Sequence, residues 1–266
     1  MPSTPSGVHL LSCPRVIRSL IKHSGVGPGD LVIDFGAGPG ALTAPLAATG
    51  AAVLAVERDD AFVRVLRRRF AARPSVRVVR SDLRWVRLPC RDFAVVSSIP
   101  FAVSTPLLRR LLSPVSGRLA HADLVVEWGL ARRLTASRPR DLESAWWAAR
   151  FDLRLVRRIP SWCFTPAPSV DAAHLSVRRR SGLDGRGSAV LWALLGSVYR
   201  QPSVPARRVL GEFAAYRPAL RMLREAGADP SGPAASVQVG VWARVASVVA
   251  VDRGIAVPRL PRGLRG

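Results

Sequence analysis

A short apolar run, Leu31-Val32-Ile33-Asp34-Phe35, breaks into Gly36-Ala37-Gly38-Pro39-Gly40 and gives way to a helical stretch from Ala41 to Ala48. Nothing else in the chain constrains the fold as much, because a buried strand, a glycine turn and a helix in that order open a Rossmann-like α/β sheet wound by crossover helices. The alternation continues downstream. A second strand is expected at Ala52–Val56, stopping at Glu57, with an amphipathic helix from Asp59 to Arg73. Further strands are expected at Val76–Arg80, Phe93–Ser97 and Leu124–Trp128, with a helix at Thr105–Leu112 before the last of them. Phe151–Ile159 and Ala172–Val177 would then close a sheet of about seven strands as an antiparallel pair.

Past Arg178-Arg179-Arg180 the segment from Ser181 to Gly187 is rich in glycine and charge, as linkers are. A boundary is expected there, dividing a sheet domain of residues 1–180 from a small all-helical domain of residues 181–257. In the second domain Ser188–Tyr199, Ala206–Tyr216, Ala219–Ala226 and Ala234–Val251 have helical lengths and no strand alternation. Residues 258–266, with Arg259, Arg262 and Arg265 among proline and glycine, read as a solvated basic tail.

Glycines between a strand and a helix let a ligand approach the backbone and meet amide donors at the helix start. A dinucleotide site begins in the same way, and a purely structural turn would use the same residues. The acids narrow the choice. Asp34 precedes the glycines, Glu57 ends the second strand where an acid grips a ribose diol, and Asp82 follows the third strand within reach of an adenine amino group. Three acids at successive strand ends outline a nucleoside-shaped pocket that would repel a pyrophosphate. S-adenosylmethionine has no phosphate and carries a sulfonium cation, so it suits such a pocket better than NAD does.

The charge balance points to the other ligand. Forty basic residues against 18 acidic ones give a formal charge of +22, a field that attracts polyanions. Lys22 is the only lysine, and a GC-rich coding sequence would favour arginine, but codon bias does not create an excess of cations. Nucleic acid is therefore the expected partner, with an anionic membrane as the weaker rival. Cys13, Cys90 and Cys163 are odd in number and far apart, and His9, His23, His121 and His174 lack metal-ligand spacing, so neither a disulfide framework nor a metal centre is expected. Residues 1–7 read as no secretion signal, and no apolar run is long enough to cross a bilayer, so a cytoplasmic protein without membrane contact is expected.

At the end of the fourth strand, Ser98-Ile99-Pro100-Phe101 must leave the sheet, since proline cannot continue the ladder. The segment resembles the Asn-Ile/Leu-Pro-Phe/Tyr motif of the Erm and dimethyladenosine-transferase families of rRNA adenine methyltransferases. The run from Val126 to Leu134, Val-Glu-Trp-Gly-Leu-Ala-Arg-Arg-Leu, and Phe164-Thr165-Pro166-Ala167-Pro168-Ser169-Val170 are similar to two further family motifs. The likeness covers roughly residues 7 to 180 in register, and the first of those runs favours the Erm branch, which modifies 23S rRNA, over the branch that modifies 16S rRNA. Two positions depart from the family pattern: Ser98 stands where Asn is usual, and Val8 stands where Gln opens the N-terminal cofactor segment.

This resemblance implies a seven-stranded methyltransferase sheet and a transfer of one or two methyl groups from S-adenosylmethionine to N6 of an adenine in 23S rRNA, with macrolide-type resistance as the consequence. It implies a cofactor site built from His9, Leu11, Asp34, Gly36, Ala37, Gly38, Glu57, Arg58, Asp82, Leu83 and Ser98. Ser98 Oγ and the carbonyl of Ile99 or Pro100 would accept from the amine, Phe101 would stack on the base, and Phe164 would close its other face. Arg132 and Arg133, with Arg154, Arg157 and Arg158, would meet phosphates. The enzyme would act as a monomer on naked 23S rRNA or on precursor particles. The rival expectations are a 16S rRNA dimethyltransferase, an RNA-binding protein that keeps the fold without turnover, and, disfavoured by the charge, a small-molecule methyltransferase.

Overall fold

The computed structural model describes residues 8–213, 216–252, 254, 256, 257 and 259–265. Residues 1–7, which carry the expectation of no export signal, lie outside the described residues. So do 214 and 215 within the expected helix at 206–216, and 258 and 266 of the tail.

The chain opens with β1 (Leu10–Leu11) and α1 (Pro14–Ser24) and then enters the alternation: β2 (Leu31–Phe35), α2 (Thr43–Ala48), β3 (Ala52–Glu57), α3 (Asp60–Arg69), β4 (Val76–Arg80), β5 (Phe93–Ser98). It continues through α4 (Ser104–Leu112), β6 (Leu119–Glu127), α5 (Trp128–Leu134), α6 (Leu142–Arg150), β7 (Phe151–Ile159), β8 (Phe164–Thr165) and β9 (Ala172–Arg179). Then come α7 (Gly185–Arg200), α8 (Ala206–Leu210), α9 (Tyr216–Glu225), α10 (Val239–Val249) and α11 (Arg262–Arg265). No helix among the described residues is long and apolar enough to cross a membrane.

Seven strands form one sheet in the order β4-β3-β2-β5-β6-β9-β7. The pairs β2/β3, β3/β4, β2/β5 and β5/β6 are parallel, and β6/β9 is antiparallel. The chain winds outward from β2 to β4 and then returns to lay β5 on the other side of β2. That reversal leaves a crevice at the carboxyl ends of β2 and β5, the usual ligand position in such sheets. Helices cover these strands, so β2 and β5 read as unbroken apolar runs rather than alternating ones: Val32, Ile33, Phe35, Val95 and Val96 are all buried. One apolar core joins Val32, Val53, Val96 and Val125 of the sheet to Leu20 of α1 and Leu46 of α2.

Local chemistry sets the helix starts. Pro14 begins α1, and Gly25 ends it in the left-handed region. Asp59 caps α3 by accepting from the Ala61 and Phe62 amides, and Asp141 and Ser144 form a reciprocal box at the start of α6.

Several boundaries differ from those expected. The fifth strand starts five residues earlier than Leu124, because pairing with β9 carries the backbone through His121 and Asp123, which interrupt the apolar pattern, and His174 bonds the Asp123 carboxylate; Trp128 begins a helix rather than ending a strand. The expected closing pair does sit together at the edge of the sheet, but in reversed order, with β9 lying between β6 and β7. The linker ends sooner, since Asp184 accepts from the Gly187 amide and starts α7 at Gly185. The expected helix at 206–216 stops at Leu210, and that at 234–251 resolves into a 3-10 turn, Ala234–Ser236, and α10. The tail is not wholly free, because the Val115 amide donates to the Leu264 carbonyl.

Two compact units emerge: one runs to Leu111 and takes in Arg118–Arg132 and Leu153–Arg178, and the other comprises Leu112–Gly117, Arg133–Asp152 and the chain from Arg179. In the second, α10 packs on α6, α7 and α9.

Candidate functional site

The loop after β2 is shaped by main-chain bonds that leave no room for side chains. The amides of Gly36 and Ala37 both donate to the Val56 carbonyl, at 2.8 and 3.1 Å, so the loop folds over the end of β3. Gly36 and Gly38 take φ of +70° and +53°, which side chains strongly disfavour. A Cβ on Gly36 would stand 3.3 Å from Pro100 Cδ, and one on Gly38 would stand 3.1 Å from Leu10 Cδ2. The glycine turn and the bend at residues 98–101 therefore touch, on the same edge of the sheet.

A cavity of about 750 Å³ opens along this edge, walled by Gly36, Gly38, Glu57, Arg58, Asp82, Leu83 and Pro100 among others. A smaller one of about 70 Å³ shares Val8, Leu10, Gly36 and Pro100 with it and reaches His9, Leu11, Asp34, Ala37 and Ser98. Each residue expected in the cofactor site thus lines one or other of two adjoining hollows. Val56, Asp59, Phe62, Ala102 and Val103 line the larger one as well. Of these, the two on α3 and its cap could have been foreseen from their place just after the second strand.

The three acids differ in how they are held. Asp34 is fully buried and accepts from Thr43 Oγ1 at 2.7 Å. Burial pushes its carboxyl up to about 7, the Thr43 bond opposes that rise, and the charge of Glu57 adds to it. Glu57 accepts from the Gly38 amide on Oε2 and from the Arg58 and Asp59 amides on Oε1, all at 2.7–2.8 Å. It organises the loop from within, and three of its roughly four acceptor positions are taken. Asp82 was expected to be open to an adenine amine, but the Arg84 side chain grips it through Nε and a terminal nitrogen, at 3.0 and 2.7 Å. Those bonds hold the Asp82 carboxyl down at about 2.

In the bend, the Ile99 amide donates to the Val125 carbonyl and its side chain is buried. The Pro100 carbonyl already accepts from the Val103 amide at 3.0 Å and from Ser104 Oγ at 3.3 Å, closing the 3-10 turn at Phe101–Val103. Of the two carbonyls expected to meet an amine, Pro100 O is occupied, whereas Ser98 Oγ and Ile99 O have no hydrogen-bond partner among the described residues.

Phe101 is half-buried, with the Phe164 ring edge-on at 6.5 Å and the His9 ring at 6.3 Å. Phe164 is only 4% exposed and belongs to the core with Leu11 and Cys163. It backs Phe101 and offers no open face of its own. The N-terminal segment is pinned across the sequence: β1 pairs with β8, and His9 Nδ1 lies 2.9 Å from the Pro166 carbonyl.

Arg132 and Arg133 are exposed on α5, and Arg154, Arg157 and Arg158 are exposed along β7. Arg158 is already engaged, with Nε 2.6 Å from Asp171 and its guanidinium over the Trp128 ring. Sequence spacing gave no hint of a grouping elsewhere in the sheet unit. His23 Nδ1 and His174 Nε2 both lie 2.7 Å from Asp123 Oδ1, while Arg178 donates to Oδ2 at 2.8 Å. Ligand-type atoms of His23, Asp123 and His174 fall within 4.8 Å of one another, so the histidines do form a cluster that linear spacing hides.

The chain matches the family described as ribosomal RNA adenine dimethylase over residues 4–189. It is 36% identical over 216 residues to the mycinamicin-resistance protein MyrB of Micromonospora griseorubida, spanning 80% of this chain and 68% of that protein. It is 30% identical over 264 residues to ribosomal RNA small subunit methyltransferase A of Phenylobacterium zucineum, spanning 97% and 91%. The crystal structure of the 23S rRNA methyltransferase ErmE aligns over 89% of this chain and 98% of that one, with a TM-score of 0.75 at 23% identity, and shares the fold.

Proposed function

We propose that this chain, which belongs to the ribosomal RNA adenine dimethylase family, methylates N6 of an adenine in 23S rRNA and thereby confers resistance to macrolide-type antibiotics. It is an S-adenosylmethionine-dependent rRNA adenine-N6 methyltransferase. One observation carries the proposed geometry of catalysis: Gly36 and Pro100 are in contact, so a nucleoside on the glycine loop and a base at the bend share one edge.

The residues fit the cofactor. Positive-φ glycines leave a cradle that a Cβ would crowd, Asp34, Glu57 and Asp82 line its two hollows, and Arg58 is the one arginine or lysine among the described residues lining them. His9, Leu11, Asp34, Gly36, Ala37, Gly38, Glu57, Arg58, Asp82, Leu83 and Ser98 would hold it. When bound, S-adenosylmethionine supplies a methyl group made electrophilic by its sulfonium.

The chain's own contribution is mainly orientation. The amine of adenine is a weak nucleophile because its lone pair is delocalised into the ring. Ser98 Oγ and the Ile99 carbonyl would each accept one of its hydrogens, turning the lone pair out of the ring plane and toward the methyl. Phe101, braced from behind by Phe164, would stack on the base once it has left its own stack. Residues 1–180 would carry this chemistry, 181–257 would grip RNA, and 258–266 would be a basic tail. The enzyme would work in the cytoplasm as a monomer, on naked 23S rRNA or precursor particles.

A 16S substrate is the second reading, favoured by the relative that aligns along 97% of this chain. The Val126–Leu134 run and the higher identity to a resistance protein favour 23S. Radiolabelled methyl transfer to purified 23S and 16S rRNA separates them. Label in 23S alone is expected, and label confined to 16S would overturn the assignment.

A further inference from the structure

The helical unit contains a pocket of about 320 Å³ whose walls include Arg150, Arg179, Arg180 and Arg244 and no acidic residue. Arg150 is the anomaly. It is 6% exposed, and its guanidinium donates only to the carbonyls of Leu112, Ser113 and Pro114, at 2.7, 3.0 and 2.8 Å. This buried cation is held by neutral carbonyls and the face of the Trp146 ring at 4.8 Å, with no carboxylate among its described partners, so it keeps a full positive charge at the pocket wall. Burial indeed pushes Arg150 down to about 10, and Arg179 beside it pushes the same way.

The second cation does not relieve the first. Arg150 and Arg179 both lie over the Phe151 ring, at 5.5 and 5.0 Å, so two guanidinium groups share one aromatic neighbour. Arg180 reaches Asp152 at 3.4 Å, while Arg244 on α10 is exposed with no hydrogen-bond or ion-pair partner among the described residues. Four planar cations around a hollow form the recognition geometry of a tetrahedral oxyanion.

We propose that this pocket binds a phosphate of the rRNA backbone, a contact by which the helical unit positions the substrate without reading its sequence. The inference rests on the rRNA reading above and adds a site to it. Protein carboxylates are the weaker occupants, because the chain as a whole carries a charge of +22 and acts on a polyanion.

Arg150 is too deeply built in to be a clean probe, so the test uses the exposed pair. In the Arg180→Gln/Arg244→Gln double variant, affinity for an rRNA fragment is measured at several salt concentrations. The expected result is weaker binding and a salt dependence of log K shallower by about 0.7 for each phosphate that the protein no longer neutralises. S-adenosylmethionine affinity should be unchanged, and KM for RNA should rise while kcat holds. A wild-type salt slope and KM would overturn the proposal. So would a pocket that takes only the free ion, with millimolar inorganic phosphate raising the melting temperature of the wild type and not of the variant while RNA binding stays the same in both. Failure of the underlying reading looks different: the unaltered protein would then neither bind the cofactor nor methylate rRNA.

Discussion

Thr43 Oγ1 donates to Asp34 Oδ2 at 2.7 Å, and both residues are buried. That bond does not offset burial, and the Asp34 carboxyl is pushed up to about 7 from an ordinary value of 3.8. The raised value means that folding favours the protonated acid. Stability is full below the unfolded value and falls as pH climbs from about 4 to 7, by ~4 kcal/mol at most. The sulfonium cation pulls the other way. S-adenosylmethionine affinity is expected to rise through the same window, and Asp34→Asn should flatten both trends. Thermal melts and calorimetric titrations across pH check this, and a pH-independent affinity in the wild type would remove Asp34 from the cation's surroundings.

Gly36→Ala should damage catalysis through two separate routes. A side chain at φ +70° costs about 1–2 kcal/mol of stability. Its Cβ, 3.3 Å from Pro100 Cδ, would also press the bend away from the loop. Gly29, at φ +91° with open space around it, provides the control, since alanine there carries the backbone cost alone. If both variants lose activity in proportion to their melting temperatures, contact with the bend contributes nothing.

Ser98→Ala is expected to slow single-turnover methylation about tenfold, the worth of one hydrogen bond of about 1.4 kcal/mol to the reacting amine, while leaving cofactor affinity nearly intact. Because Ser is shorter than the family's Asn, its hold on an amine that already carries one methyl is weak. Mass spectrometry should therefore show monomethyladenine accumulating early, and Ser98→Asn should shift the product toward dimethyladenine. An unchanged rate in Ser98→Ala would exclude the hydroxyl from the reaction.

Much of the fold was legible because its signals are local. The glycine turn at 36–40, the acids at strand ends and the proline at 100 each act within a few residues, and the order of strands and helices follows from them. Partnerships between distant residues were not legible. His9 meets Pro166 and Asp123 meets His174 across gaps of 157 and 51 residues, which no periodicity encodes. The grip of Arg84 on Asp82 spans two residues and still escaped notice, since an arginine beside an acid in so basic a chain carries little information. The burial of Phe164 was hidden because a core aromatic and a stacking one have the same side chain.

Asp123→Asn should destabilise the fold strongly. Burial pushes the Asp123 carboxyl up, but bonds from His174 and Arg178 outweigh it and leave its value lowered. A lowered value means stability that is present above the unfolded value of 3.8 and is lost as pH falls below it. Removing the charge strands Arg178 and both imidazoles, a loss on the order of 3–5 kcal/mol. Denaturant unfolding at neutral pH measures it, and a loss below about 1 kcal/mol would mean that the cluster relaxes without its anion.

Trp85 presents a 79% exposed ring from a loop that is held on both sides. The Trp85 and Val86 amides donate to the Asp82 carbonyl, Arg110 bonds the carbonyls of Leu83 and Val86, and Arg84 is locked to Asp82. A rigid backbone beside the cofactor cavity, carrying an apolar ring between Arg84 and Arg87, has the form of a stacking platform for a nucleotide next to the target. Trp85→Ala should therefore leave stability within about 0.5 kcal/mol of the wild type and leave cofactor binding intact. It should weaken RNA binding by about 1–3 kcal/mol, the usual worth of one stacked base. Quenching of tryptophan fluorescence by added rRNA fragment gives an independent reading, although Trp162, 72% exposed, must first be replaced to isolate the signal. If the Trp162→Ala protein shows no quenching and Trp85→Ala binds RNA as the wild type does, the ring serves another purpose.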